Sequence, residues 1–89
     1  MVSVILKIKG KVQGVFYRKN TKMQALKLGV KGFVQNRTNG SVYAEAEGGE
    51  SQIEQLIEWC KNGPEKAEVT GIEVNYTEPK NHKTFEIKY

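Results

Sequence analysis

The chain has 89 residues, of which 38% are hydrophobic and 27% are charged. Its length allows one small domain with one core, and its composition is typical of a soluble globular protein rather than a disordered one. No apolar run reaches the roughly 20 residues that span a bilayer, and the first residues lack the features of a signal peptide. We therefore expect one domain over residues 1–89, working in the cytoplasm without a membrane and most simply as a monomer.

Positive charge is concentrated in the first half of the sequence. The formal net charge is +4, and every lysine and arginine up to Arg37 precedes the first acidic residue, Glu45. Such asymmetry favours an acidic partner, which could be nucleic acid, an acidic membrane or a small anionic ligand. A solvated, lysine-rich surface is the simpler interpretation for most of these lysines, so charge alone leaves the partner open.

The residue inventory excludes several kinds of catalytic site. The chain has no aspartate, and His82 and Cys60 are the only residues of their types. A metal cluster of His, Cys and Asp or a triad with an aspartate therefore cannot be assembled. One cysteine forms no internal disulfide, so the chain needs no oxidising compartment. An enzyme of this sequence has to work with arginine, amides, backbone N–H groups and water.

The first predicted elements are a strand and a helix. Apolar residues alternate with polar ones along the strand, which places on one face Val2, Val4, Leu6 and Ile8. Residues 17–28 favour a helix, and its apolar face holds Tyr17, Thr21, Ala25 and Leu28. Gly29 is a typical residue for the end of a helix.

A hairpin is predicted next, with strands over residues 30–37 and 41–47. The Asn39-Gly40 pair between them indicates a type I′ turn, since both residues tolerate positive φ.

The second helix has the clearest amphipathic pattern. Ser51 and Glu54 are spaced as a capping box, and the stripe that follows consists of Ile53, Leu56, Ile57 and Cys60. Cys60 on this stripe is best interpreted as a small buried hydrophobe. Gly63-Pro64 ends the helix.

Residues 69–77 form the next predicted strand, with a bulge expected at Gly71 because the apolar phase slips there. A last strand runs through Phe85 and Ile87, after a polar turn in which His82 is expected to be an ordinary solvated side chain. The order β-α-β-β-α-β, with an extra C-terminal strand, predicts an α+β ferredoxin-like sandwich: an antiparallel sheet with two helices on one face. This fold hosts many functions, so it does not decide the activity.

A glycine-containing loop separates the first strand from the first helix. Gly10 and Gly14 permit a turn whose N–H groups form an anion nest, and the helix start adds free N–H groups and the positive end of its dipole. Arg18 stands where its planar guanidinium could grip two phosphate oxygens. Residues 13–18 are therefore a candidate phosphate cradle. The alternative is a structural loop followed by a solvated arginine.

Two motifs make the chain resemble the acylphosphatase family. GKVQGVFYR, residues 10–18, is similar to the first signature of that family, and GFVQNRTNGSVYAEAEG, residues 32–48, is similar to the second. Two spaced motifs are more specific than one, and the resemblance covers essentially the whole chain. The one small departure is Tyr17, where phenylalanine is more usual before the arginine.

This resemblance implies hydrolysis of the carboxyl–phosphate bond of small-molecule acyl phosphates to carboxylate and inorganic phosphate, with no metal and no organic cofactor. It implies that Arg18 binds the phosphate and that Asn36 positions the attacking water. The cradle is then the backbone of Gln13, Gly14, Val15, Phe16, Tyr17 and Arg18.

The chemistry of the residues is consistent with this mechanism. An acyl phosphate has a good leaving group, so its hydrolysis requires mainly charge stabilisation and alignment. The amide oxygen of Asn36 can hold a water in line although it is not a strong base. An asparagine near a hairpin often satisfies local backbone groups instead, but Asn39 is better placed for that role.

Two other interpretations compete with an acylphosphatase. The RNA-recognition motif shares the fold and binds bases through exposed aromatic residues on its central strands. KGFVQNRT begins like its signature but lacks the later aromatic residues, so we expect no specific nucleic-acid partner. The other is a non-catalytic acylphosphatase-like module of a larger carbamoyl-transferring protein, and the intact Arg18 and Asn36 argue against it.

Overall fold

The computed structural model describes all 89 residues as five strands and two helices. In chain order they are β1 (Val2–Lys11), α1 (Tyr17–Leu28), β2 (Lys31–Asn36), β3 (Val42–Gly48), α2 (Glu50–Asn62), β4 (Glu68–Thr77) and β5 (Phe85–Lys88). The strands form one sheet in the order β4-β1-β3-β2-β5. The predicted ferredoxin-like α+β fold, with its additional C-terminal strand, is confirmed. Neither helix has the length and apolarity needed to cross a membrane.

Strand β5 differs in direction from the fully antiparallel sheet that the sequence predicts. The pairs β1–β3, β1–β4 and β2–β3 are antiparallel, as predicted, whereas β5 pairs in parallel with β2. β4 ends at the end of the sheet where β2 begins. A chain that crosses from there to the far edge therefore runs in the direction of β2. As a result the carboxyl ends of β1, β2 and β5 meet at one end of the sheet.

Both helices cover one face of the sheet, and the alternation of apolar residues builds the core there. Val4, Leu6 and Ile8 of β1 are fully buried on this face. They are joined by the predicted stripe of α2, which is Ile53, Leu56, Ile57 and Cys60. From α1 the buried residues are Tyr17, Thr21 and Ala25. The periodicity therefore predicts the core-facing side of these elements correctly. Each fully buried aliphatic side chain contributes about 1.5–3 kcal/mol to the free energy of folding.

Two local predictions about turns and caps are wrong. Helix α2 begins at Glu50 with Gly49 as its N-cap and no side-chain cap, so the capping box does not form because Ser51 already lies inside the helix. In the hairpin only Gly40 has positive φ, 90°, so the turn is not type I′. Instead the Gly40 N–H donates to the Arg37 carbonyl at 3.2 Å, and the Asn39 side chain accepts from the Ser41 N–H at 3.1 Å.

The predicted irregularity in β4 is present one residue from its expected place. Lys9 faces Gly71 and Gly10 faces Val69, so Thr70 is the extra residue of a bulge. At Gly10, with φ 126°, a Cβ atom would lie 2.1 Å from the Glu68 carbonyl oxygen. Glycine is therefore required where β1 meets the bulge.

The segment that crosses from β4 to β5, residues 78–84, lies on the face of the sheet opposite the helices. Glu45 and Glu47, which are 7% and 3% exposed, point towards it from β3. Glu47 accepts the backbone N–H groups of Lys80 and His82, together with the Ser3 hydroxyl at 3.2 Å. These bonds attach the crossing segment to the sheet.

Glu45 binds the side chains of the same segment. Its carboxylate lies 3.1 Å from Lys80 Nζ and 3.2 Å from His82 Nε2, and it accepts the Tyr43 hydroxyl at 2.9 Å. The prediction that His82 is an ordinary solvated side chain is wrong, because it is 22% exposed and its ring contacts Phe33 edge-on. Burial alone would raise the pKa of Glu45 and Glu47, but these hydrogen bonds outweigh burial and lower both pKa values.

Candidate active site

One pocket lies where the carboxyl ends of β1, β2 and β5 meet. Its volume is about 260 Å³, and its lining consists of Val12, Gly14, Phe16, Tyr17, Arg18, Lys19, Asn36, Ile87 and Tyr89. Arg18 and Asn36, which are 18 residues apart in the chain, therefore face the same small space. Three larger surface hollows, of about 430 to 500 Å³, contain neither residue.

The loop between β1 and α1 has the backbone geometry of an anion nest. Gly14 has φ 74°, and Phe16, the N-cap of α1, has φ 62° and ψ 27°. Left-handed residues turn successive N–H groups towards one side of the chain. None of the backbone N–H groups of residues 13–18 donates a hydrogen bond within the protein. These donors, at the positive end of the α1 dipole, are free to bind an anion.

The side chain of Gln13 fixes this loop to the β2–β3 hairpin. Its Nε2 atom donates to the carbonyl oxygens of Arg37 and Ser41, both at 2.8 Å. The Gln13 side chain is thus occupied with the fold, which leaves only its backbone N–H available to an anion. The bonds also hold the loop against the residue that follows Asn36.

Arg18 projects from the first turn of α1 without an acidic partner. That turn contains no acidic residue, and none of the ion pairs in the protein involves Arg18. The guanidinium carbon lies 4.9 Å from the centre of the Tyr89 ring, and Nη1 donates to the Lys88 carbonyl at 3.4 Å. One face of the guanidinium is therefore supported by the end of β5, while most of its N–H donors remain free for a ligand.

Asn36 ends β2 with its side-chain oxygen buried. The Oδ1 atom has no hydrogen-bond partner in the protein, which is uncommon because a buried, unpaired acceptor costs about 1–3 kcal/mol. The turn is stabilised by Asn39 instead, which also accepts the Ser41 hydroxyl at 2.6 Å. The prediction that Asn39 takes the structural role and leaves Asn36 free agrees with these contacts.

Tyr17 contributes its backbone to the loop and its side chain to the core. The hydroxyl donates to the Cys60 carbonyl at 2.7 Å, and the ring packs on Trp59 with centroids 5.6 Å apart. Burial raises the pKa of Tyr17 far above its ordinary range and that of the Cys60 thiol to about 12. Neither side chain can exchange a proton at neutral pH, and Cys60 is a buried hydrophobe as expected.

Val15 is also a core side chain, so of the predicted loop only Phe16 and Arg18 direct large side chains into the pocket. Of the two lysines that flank the loop most closely, Lys19 of α1 lines the pocket and Lys11 of β1 does not. Sequence reasoning missed Val12, Ile87 and Tyr89 as lining residues. The alternation of Phe85, Ile87 and Tyr89 indicates a strand, but its place beside Arg18 depends on the parallel pairing of β5 with β2.

No three His, Cys or Glu side chains lie close enough together to hold a metal ion. The independence of the activity from metals remains a prediction from the sequence.

Comparisons with known proteins agree on one family. A family model described as Acylphosphatase matches residues 4–87. An acylphosphatase from Haloquadratum walsbyi is 46% identical over 81 residues, which are 91% of this chain and 87% of that protein. The crystal structure of acylphosphatase from Bacillus subtilis matches with a TM-score of 0.97 and 36% identity, covering 100% of both chains. Full-length HypF also matches, with a TM-score of 0.88 and 32% identity, over 99% of this chain but 12% of HypF.

Proposed function

Because the chain belongs to the acylphosphatase family, we propose that it hydrolyses the carboxyl–phosphate bond of small-molecule acyl phosphates with Arg18 and Asn36 as its catalytic residues. The products are a carboxylate and inorganic phosphate. The observation that carries the assignment of residues is their common pocket, in which Arg18 has no acidic partner and Asn36 has a buried, unpaired amide oxygen. The unpaired oxygen is costly for the fold alone, and the two features together suit a phosphorylated substrate and a water.

The phosphoryl group binds in the loop of residues 13–18. Its equatorial oxygens accept the free backbone N–H groups, and the guanidinium of Arg18 supplies a fixed pair of charged donors. Since charge on these oxygens is redistributed in the transition state, donors already held in place stabilise it without reorganisation. The hydrogen bonds of Gln13 to the hairpin keep the loop in this geometry.

Asn36 positions the attacking water. The unpaired Oδ1 accepts a hydrogen bond from the water and directs a lone pair of its oxygen at phosphorus. The bond from water oxygen to phosphorus forms as the bond from phosphorus to the carboxylate oxygen breaks. An amide cannot take up the proton at neutral pH, so Asn36 acts by alignment.

The proton of the water is transferred to a phosphoryl oxygen of the substrate, and the acyl group leaves as a carboxylate anion. This step requires no histidine and no acidic side chain, and neither lines the pocket. We expect the rate to vary little with pH around neutrality. A steep loss of kcat through an enzyme pKa near 7 would require a general base and would contradict this step.

We further propose that residues 1–89 act as one domain, as a monomer in the cytoplasm, without metal or organic cofactor. The single buried thiol, Cys60, is compatible with a reducing compartment. We also propose that the chain has no specific nucleic-acid partner, and the aromatic ring of Phe33 on the face of the sheet opposite the helices supports this. Phe33 is 8% exposed and contacts His82 and Lys88, so it offers no free surface for stacking a base.

The test is the hydrolysis of benzoyl phosphate by the purified chain with EDTA present. We expect turnover far above the uncatalysed rate, unchanged by the chelator. Turnover equal to the uncatalysed rate would reject the activity and favour the alternative of a non-catalytic module. Loss of turnover with EDTA would reject the metal-free mechanism.

A further inference from the structure

Two exposed aromatic rings lie at the pocket that contains Arg18 and Asn36. Phe16 is 70% exposed and Tyr89 is 97% exposed, and both line the pocket. Most large apolar side chains of so small a domain are expected in its core, because little apolar area is available to stabilise it. These two rings contribute almost nothing to the core.

Phe16 also has an unfavourable backbone conformation. A bulky residue with φ 62° is a genuine outlier, whereas glycine or asparagine adopts this region readily. Asn20 holds the conformation, because its backbone N–H and its Nδ2 both donate to the Phe16 carbonyl, at 3.1 and 2.9 Å. The backbone geometry therefore does not require the ring, and burial does not explain it.

The geometry of the reaction places the acyl group beside these rings. In an in-line displacement the leaving group departs on the side of phosphorus opposite the attacking water. In the proposed mechanism Asn36 Oδ1, which is buried, holds the water, so an acyl group opposite that water would point away from the buried side of the pocket. Phe16 and Tyr89 are the exposed aromatic residues of the lining. The Tyr89 ring lies 4.9 Å from the guanidinium of Arg18, within reach of a substrate whose phosphate Arg18 holds.

We propose that Phe16 and Tyr89 form an acyl-binding subsite that selects aromatic and other bulky apolar acyl phosphates over acetyl phosphate. This inference rests on the proposed function of the same pocket. The two rings offer apolar surface and offset or edge-on stacking to an aromatic acyl group. Ile87 and Val12 also line the pocket and add apolar surface to it. A two-carbon acyl group reaches little of this surface.

The test is the ratio of kcat/KM for benzoyl phosphate to kcat/KM for acetyl phosphate. Intrinsic leaving-group reactivity cancels when the ratio of a variant is compared with that of the parent. Phe16→Asn removes the ring and suits the left-handed backbone, so its folding is preserved. We expect the ratio to fall about tenfold in Phe16→Asn, to fall severalfold in Tyr89→Leu, and to stay at the parental value in Phe16→Tyr.

Met23→Ala is the matched control. Met23 is exposed on α1 and shares a neighbouring groove with Phe16, but it does not line this pocket. The ratio in Met23→Ala should therefore equal that of the parent. A binding measurement independent of turnover compares benzylphosphonate with inorganic phosphate. Phe16→Asn should weaken the binding of benzylphosphonate about tenfold more than the binding of inorganic phosphate.

The outcomes separate the two proposals. Turnover in the parent with unchanged ratios in Phe16→Asn and Tyr89→Leu would overturn the subsite and leave the acylphosphatase activity intact. A parent that hydrolyses neither acyl phosphate would overturn the proposed function, and equal binding of benzylphosphonate by the parent and Phe16→Asn would then overturn the subsite as well.

Discussion

The Nε2 atom of Gln13 lies 2.8 Å from the carbonyl oxygen of Arg37. This contact joins the loop after β1, which we propose binds the phosphate, to the residue that directly follows Asn36 at the end of β2. The two proposed catalytic functions belong to separate segments, phosphate binding to the loop and the first turn of α1, and water alignment to the end of β2. Their relative position therefore depends on this side chain.

Gln13→Ala is expected to reduce kcat about tenfold, although it leaves Arg18 and Asn36 themselves unchanged. It removes two hydrogen bonds, which contribute about 0.5–1.5 kcal/mol each, and it releases the loop from the hairpin. Steady-state kinetics with benzoyl phosphate and urea unfolding measure the two effects. Gln55→Ala is the control, because Gln55 is exposed on α2 and makes one contact of 3.4 Å. Parental kcat in Gln13→Ala would show that the loop does not need this attachment.

Arg18→Gln should weaken the binding of inorganic phosphate and abolish most turnover. Two charge-assisted hydrogen bonds contribute about 1.5–3 kcal/mol each, so we expect a loss of roughly a hundredfold or more in kcat/KM. Arg18→Lys should restore only part of it, since an ammonium cannot reproduce a bidentate fork. Competitive inhibition by phosphate measures the binding.

Arg37→Gln is the control for charge. Arg37 is the other arginine of the chain, its guanidinium lies 3.9 Å from the centre of the Tyr43 ring, and it does not line the pocket. Its substitution should leave phosphate inhibition close to that of the parent. An Arg18→Gln variant that binds phosphate as tightly as the parent would contradict the role assigned to Arg18.

The carboxylates that hold the crossing segment predict a loss of stability in acid. The folded-state pKa values of Glu45 and Glu47 are lowered from the ordinary value of 4.5. Their contribution to stability is therefore complete well above pH 4.5 and is lost as pH falls through the lowered pKa values. Urea unfolding from pH 7 to pH 3 should show this decrease.

Glu47→Gln should lower stability at pH 7 by about 1–3 kcal/mol, because a charged acceptor of three hydrogen bonds is lost. The same substitution should also make the decrease in the free energy of unfolding between pH 7 and pH 3 smaller than in the parent. Glu73→Gln is the control, since Glu73 forms a largely exposed pair with Lys9 at 3.8 Å, which contributes about 0–1 kcal/mol. An acid response in Glu47→Gln identical to that of the parent would contradict this account.

The sequence predicts the features of this protein that depend on periodicity or on local composition. The alternation of β1, the stripe of α2 and the glycine-containing loop before Arg18 each correspond to an observed element. The resemblance to a family adds what periodicity does not supply, namely the roles that we propose for Arg18 and Asn36.

Features that depend on distant contacts were not predictable in this way. Glu45 and Glu47 alternate with apolar residues and look like exposed positions of a half-buried strand. They are buried because residues 78–84 cross over them, a contact across more than 30 residues. Tyr89 reaches the pocket only because that crossing places β5 beside β2. No local pattern in the sequence indicates either contact.

In the proposed mechanism Asn36 aligns the water while Arg18 and the loop bind the phosphate. This mechanism is tested most directly by measuring, in Asn36→Ala, both kcat for benzoyl phosphate and the inhibition constant of inorganic phosphate. We expect kcat to fall roughly a hundredfold or more and the inhibition constant to stay within about twofold of the parent, since loss of the alignment raises the free energy of the transition state alone. Parental kcat in this variant would contradict the mechanism, as would a loss of phosphate binding equal to the loss of turnover.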